Sequence, residues 1–470
     1  MLEWIEKLYG IIWGAPTLCL ILGTGLLVSW RTAFAQVRLL PLACRRFFGR
    51  EGRSATGDVD VSSFRALCTA LAATVGIGNL AGVAGAIALG GPGAVFWMWV
   101  SGFLGMGVKF AEATLAVRFR RRDGHGRYLG GPMYMIEDGM GRRWRFLGAV
   151  YCFFGVAAAF GVGNATQINA VIVSIRQCAA ASGRVLAPQW NLWLGLALAG
   201  LIGAVLLGGA GRIAATAEKL VPFAAGGYIL LCLAVLVLRA PALPGALRAI
   251  VLGAFSPRAV TGGAVGSAAI ALRTGISRGV FTNEAGMGTA SIAHAGAAVS
   301  HPVEQGLMGI MEVFLDTMVI CTMTALVILC SGVPISYGTD EGAALTGRAF
   351  ASVLGPWAGT AVTVAICLFA VATVLGWGLY GARCAQYLFG DGIWRRYAWL
   401  QTAAVALGAL VNTATLWRFA EIVNGLMAIP NLLALWALCP VLRQLNQQYN
   451  CGRASAAGGT YENIHQCEPL

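Results

Sequence analysis

Apolar residues run through this chain in blocks of about 20, and charged residues gather in the gaps between the blocks. As an α-helix, a block of that length spans a hydrocarbon layer of roughly 30 Å, and the ten-residue in/out alternation of a β-barrel does not occur. The pattern predicts about eleven transmembrane helices, over residues 8–30, 63–90, 93–119, 146–178, 190–209, 215–238, 262–293, 303–331, 348–389 with a break near Pro356, 395–413 and 417–440. The first run imitates a secretory leader, with Ala33-Phe34-Ala35 in the place of a cleavage site. Glu3 and Glu6 precede it, however, and the run is too long for a leader core, so a retained spanning helix is expected.

Composition agrees. Of 470 residues, 58% are hydrophobic and 11% charged, whereas soluble domains carry roughly a quarter charged. Mean hydropathy is +0.72. The 64 glycines follow no Gly-X-Y period and lie within apolar runs, which excludes collagen and disorder and suits membrane helices. The fold class is all-α, a polytopic membrane protein. Thirteen cysteines are scattered singly with no C-x-x-C pair, which argues against a disulfide framework or a zinc site.

A net charge of +13 suggests nucleic acid on a soluble surface, but its placement here follows the membrane. Of 33 Lys and Arg, 23 fall in the alternate loops that begin after the first helix and in the tail, and eight lie on the opposite side. The rich side is cytoplasmic by the positive-inside rule, so the amino terminus is expected outside and the tail inside a bacterial-type cell membrane. No nucleic-acid partner is needed. Residues 441–470, rich in Asn, Gln, Gly and Ser, read as a disordered tail.

Two helices carry interruptions. In 63–90, Thr74-Val75-Gly76-Ile77-Gly78-Asn79 places two glycines at membrane depth, a costly choice for an unbroken helix. In 262–293, Arg273-Thr274-Gly275-Ile276-Ser277-Arg278-Gly279 repeats the device, followed by Asn283-Glu284-Ala285-Gly286-Met287-Gly288. Unwound backbone is tolerated at that depth only inside protein or along a cavity. With 1–60 set aside as an extra helix and a basic loop, the broken helices are first and sixth of a ten-helix core. That is a five-plus-five inverted repeat, 61–240 and 241–440, as in secondary transporters with a site where discontinuous helices meet. Helix packing through small residues is the plainer alternative.

The strings TVGIGN at 74–79, AIALGGPGAVFWMWVSGFLGM from 86, GGPMYMIEDGM at 130–140, RGVFTNEAGMGTASIAHA at 278–295, EVFLDTMVICTMTALVILCSG at 312–332 and LGWGLYGARCAQYLFG at 375–390 resemble the alanine or glycine:cation symporter family over about 60–440. That family is similar in fold to the leucine-transporter type, and VGIGN is close to the first-core-helix signature of neurotransmitter:sodium symporters. The resemblance implies sodium-driven uptake of a small neutral amino acid, with sodium as coupling ion and no other cofactor. It implies that Thr74, Gly76, Ile77, Gly78 and Asn79, with Gly275 and Ile276, present the broken helices to the substrate. Gln167 is either a substrate ligand or a helix–helix hydrogen bond. Thr373 and Trp377, four apart, share a helix face, where the indole closes the side-chain pocket or simply packs. The implied sodium ligands are Ala72, Val75, Asn79 and Thr373. The chain departs from the family's commoner pattern, which has threonine at Ile77 and serine at Ala372, so Thr373 is the one hydroxyl expected at the ion.

Charged residues at depth are functional candidates. Lys109 and Glu112 are expected to reach water near the cytoplasmic end of 93–119, as snorkelling or gate contacts. Glu284 is expected to pair with Arg278 or Arg118, and Asp316 to be a proton or cation site or to bond Thr317. His125, His294, His301 and His465 are placed in or near cytoplasmic segments without metal spacing. Proton coupling, through Asp316 or Glu284, and another substrate such as glutamine are alternatives within the same fold. A channel fits less well, because two breaks predict a site closed from each side in turn. No H-E-x-x-H or G-x-S-x-G string supports an enzyme.

Overall fold

The computed structural model describes residues 2–49 and 61–456, apart from 125, 264, 266, 340, 341 and 412. Helices dominate; the strands among the described residues are Arg121–Arg122 and Tyr128–Leu129, a small antiparallel hairpin. Shorter helices such as Leu40–Phe48 and Leu243–Phe255 aside, the first half contains α1 (Ala15–Arg31), α2 (Ser63–Thr74), α3 (Ala81–Gly90), α4 (Gly93–Arg118), α5 (Arg145–Phe160), α6 (Thr166–Ala181), α7 (Trp190–Leu206) and α8 (Gly209–Leu238). The second runs α9 (Ala268–Asn283), α10 (Thr289–His294), α11 (Pro302–Val313), α12 (Thr322–Cys330), α13 (Ala343–Leu354), α14 (Pro356–Phe389), α15 (Trp394–Gly408), α16 (Thr413–Ala437) and α17 (Cys439–Ala456).

Seven helices among the described residues are individually long and apolar enough to cross a membrane, and the bent pair of α2 with Ile77–Gly90 makes eight. The other three predicted runs, 190–209, 262–293 and 395–413, contain the shorter helices α7, α9 with α10, and α15. Local signals set the boundaries. Ser62 caps α2 by accepting from the Arg65 amide, and Ser267 caps α9 through the Ile270 amide. Gly355, at φ +90°, and Pro356 separate α13 from α14 at the predicted break.

α4 occupies the centre, packed against α9 and α11 through small residues that let backbones approach. A side chain at Gly309 of α11 would begin 2.6 Å from the Lys109 carbonyl, and one at Gly275 of α9 would begin 2.2 Å from the Ala94 carbonyl. α14 lies on α2, where Gly376 meets Ala73, and on α5 and α6.

Two expectations need correction. The interruption placed at 273–279 is absent: α9 runs through it, because Gly275 and Gly279 serve close contact with Ala94, Trp97 and Ser101 of α4. The helix stops instead at Glu284–Gly288. Residues 441–456 form most of α17 and not a disordered tail. Leu442 and Leu445 are buried, and Asn446 donates to the Thr32 carbonyl, so a polar helix face is anchored by a few apolar contacts. The remainder of the predicted tail, with His465, lies outside the described residues, as do His125 and residues 50–60 of the basic loop.

Candidate functional site

α2 ends at Thr74, and the chain turns by 63° through a 3-10 turn at Ile77–Asn79 before α3. The Gly76 amide, which would close a helical bond to Ala72, donates to Asn79 Oδ1 at 2.9 Å, and the Asn79 amide donates to the Gly76 carbonyl. The carbonyls of Ala72 and Val75 are thereby left without their helical donors. Asn79 Nδ2 reaches Asp316 Oδ1 (2.6 Å) and the Asp316 carbonyl (3.3 Å), so both ends of its amide brace the break. That carbonyl lies in a π-helical turn, Phe314–Cys321, joining α11 to α12.

Two unpartnered acceptors face this break. A Cβ on Gly76 would sit 2.7 Å from Thr373 Oγ1 and 3.7 Å from Gln167 Oε1, and neither oxygen has a hydrogen-bond partner although both residues are buried. Gly76, at φ −139°, needs no left-handed backbone; close approach is what forbids a side chain there. Gln167 is aimed by a second π turn, Gly161–Ala165, whose Val162 carbonyl accepts Gln167 Nε2 at 3.1 Å. Gly78 packs on Thr282 of α9, which brings the two interrupted helices together. Thr74 returns its hydroxyl to the Ala70 carbonyl and does not join the acceptors. Ile77 is buried in an apolar cluster with Ala72 and Val75, and Ile276 shares another with Ala73, Val162 and Trp377. Gly275 faces α4 and presents no free backbone.

The second break is built by left-handed residues, Glu284 (φ 53°), Gly286 (φ 94°) and Gly288 (φ 75°). Glu112 Oε1 accepts from the Gly286 amide (3.0 Å), the Gly288 amide (3.1 Å) and Asn431 Nδ2 (2.7 Å). Glu284 accepts from Thr289 at 2.6 Å and from Trp377 Nε1 at 3.0 Å. A polar chain joins the breaks: Asn79 to Asp316, Thr317 to Asp316 Oδ2 (2.8 Å), Asn283 to Thr317 (3.2 Å), and the Ala285 amide to Asn283 Oδ1 (3.0 Å).

Several charged residues stand elsewhere than expected. Lys109 and Glu112 are wholly buried and do not reach water: Lys109 pairs with Glu312 at 2.9 Å, and Glu312 also meets His294 at 2.9 Å. His294 is likewise buried, held through Gln305. Glu284 meets Thr289 and Trp377, while Arg278 pairs with Glu421 at 3.6 Å. The sequence assigns no role to Glu312 or Asn431, and names Asn283 only as part of the second break's string; Glu312 carries the same signal as Asp316, an acid four residues earlier in an apolar run. No cluster of three or more His, Cys, Asp or Glu suited to a metal occurs among the described residues.

The profile of the sodium:alanine symporter family matches residues 1–462. Among curated relatives, the sodium/alanine symporter AgcS of Methanococcus maripaludis is 40% identical over 95% of this chain and 96% of its own length. The probable sodium/glutamine symporter GlnT of Bacillus subtilis is 36% identical over 96% of this chain and 93% of its own. The crystal structure of MhsT in complex with L-phenylalanine, 15% identical, superposes with a TM-score of 0.55 over 87% of this chain and 92% of that one; this likeness concerns the fold.

Proposed function

The chain belongs to the sodium:alanine symporter family, a multi-pass membrane transporter of the leucine-transporter type, and from that premise we propose that it couples sodium entry to uptake of alanine or glycine. The observation that carries the reading is the pair of unpartnered acceptors, Thr373 Oγ1 and Gln167 Oε1, turned onto the freed backbone of the first break. The carbonyls of Ala72 and Val75 and the Thr373 hydroxyl supply neutral oxygens for sodium, which takes about five or six in such a junction. Gln167 accepts from the ammonium group. Gly76 and Gly78 let the substrate approach the main chain, where the amide-rich turn and half-helix dipole favour its carboxylate. Ile276 and Trp377 close the side-chain end and restrict it to a methyl group or hydrogen. The repeats 61–240 and 241–440 then expose the site to each side in turn, with the amino terminus outside and α17 in the cytoplasm.

Uptake of labelled alanine into proteoliposomes tests this reading. A sodium gradient is expected to drive it, and glycine to compete. Competition by glutamine with no effect of alanine would assign the other substrate.

A further inference from the structure

Four carboxylates, Glu112, Glu284, Glu312 and Asp316, are buried together with one lysine, Lys109, and with His294. Uncompensated charge at membrane depth is expensive, so the surplus of negative groups calls for a positive species or for hydrogen-bond donors at every oxygen. Glu312 has Lys109 and His294, Glu284 has Thr289 and Trp377, and Asp316 has Asn79 and Thr317. Glu112 Oε1 has three N–H donors, but Glu112 Oε2 has none. Asn431 donates through Nδ2 to Glu112 Oε1 and to the Gly286 carbonyl (2.9 Å), and its own Oδ1 is also unpartnered and buried. The hydroxyls of Tyr151 and Tyr380 are also buried without partners.

Neighbouring acceptors without a donor fit a positive ligand. We propose that Glu112 Oε2 and Asn431 Oδ1 bind one monovalent cation, a sodium ion or a proton, at a site separate from the one at Thr373. The groups whose charge or dipole acts on Glu112 are Lys109 on its own helix, Glu312 on α11, Tyr151 on α5, Tyr380 on α14 and the neutral Asn431 on α16. Because the other oxygen of Glu112 holds the Gly286 and Gly288 amides, loading this site bears directly on the geometry of the second break. The inference deepens the symport reading and rests on it for its role in coupling, but binding is measurable without transport.

The test uses purified protein in detergent without amino acid. It combines equilibrium binding of radioactive sodium with infrared difference spectroscopy of the carboxylic-acid carbonyl stretch. Glu112→Gln keeps an acceptor for the two amides and turns a neutral amide toward Asn431 Oδ1. If the ligand is sodium, the variant binds one ion fewer per chain, and the remaining ion still responds to Thr373→Val. If it is a proton, the sodium count is unchanged and a protonated-carboxyl band of the wild type disappears in the variant. An unchanged sodium count with no such band overturns the proposal. Should Glu112→Gln fail to insert, Asn431→Ala, which removes the second acceptor, is expected to weaken the same cation about fivefold or shift the same band, and no change in either overturns it as well. Failed alanine transport with a cation at Glu112 would contradict the symport reading alone.

Discussion

The Thr373 hydroxyl is buried, unpartnered and turned toward a backbone break. Thr373→Val keeps the branched shape and deletes one oxygen. By analogy with an unmade hydrogen bond this costs about 1–3 kcal/mol, or roughly a 5- to 150-fold higher sodium requirement. Linkage is reciprocal, so alanine affinity at subsaturating sodium falls too and recovers when sodium is raised. A sodium titration of alanine binding for both proteins checks this; superimposable curves would move the ion elsewhere. Trp377 was read in sequence as a pocket cap or a packing residue. In the fold, its Cβ and the near edge of its indole press on Gly163, and Nε1 donates to Glu284. Trp377→Ala is expected to admit larger amino acids in competition assays. Trp377→Phe keeps most of the ring but leaves Glu284 Oε1 without its donor, and is expected to lose about 1–3 kcal/mol of stability with the competition profile retained.

Single helices show where sequence reading reached and where it stopped. The break at 74–79 was legible because two glycines one residue apart interrupt an apolar run. The second was displaced from 284–288 to 273–279, since a glycine that admits a neighbouring helix and a glycine that adopts left-handed backbone look alike in sequence. Gly288 is of the second kind, with φ 75° and Pro132 Cγ 2.4 Å from where a Cβ would stand. Gly288→Ala is therefore expected to lower the thermal midpoint in detergent by the left-handed penalty of about 1–2 kcal/mol plus the clash. Gly211→Ala, in α8 with open space around it, is expected to be neutral or stabilising, and equal midpoints for the two would refute the assignment. Lys109 was misplaced for a different reason: helical periodicity gives a face but not a depth, and its partner Glu312 lies 203 positions away. Removing one member of a buried pair costs about 3–5 kcal/mol, so Lys109→Met is expected to destabilise far more than Lys7→Met, as read by thermal unfolding.

Over the whole molecule, the membrane class, the polytopic helical fold and the need for two discontinuous helices were written in block length, charge placement and glycine position. The network between the breaks was not, because it depends on contacts such as Asn79 to Asp316 that no local pattern encodes. Orientation remains a prediction of the basic loops: a cysteine at Arg143 is expected to resist an impermeant thiol reagent on intact cells, while one at Thr339 reacts. Equal labelling would reverse the assigned sides. The central claim is that the gradient of sodium does the work, and it is tested most directly in proteoliposomes with sodium and proton gradients imposed separately. Alanine is expected to accumulate above its external concentration under an inward sodium gradient and to drain when a sodium ionophore dissipates it. Accumulation that ignores sodium and follows the pH gradient, or flux that never exceeds equilibration, would contradict that claim.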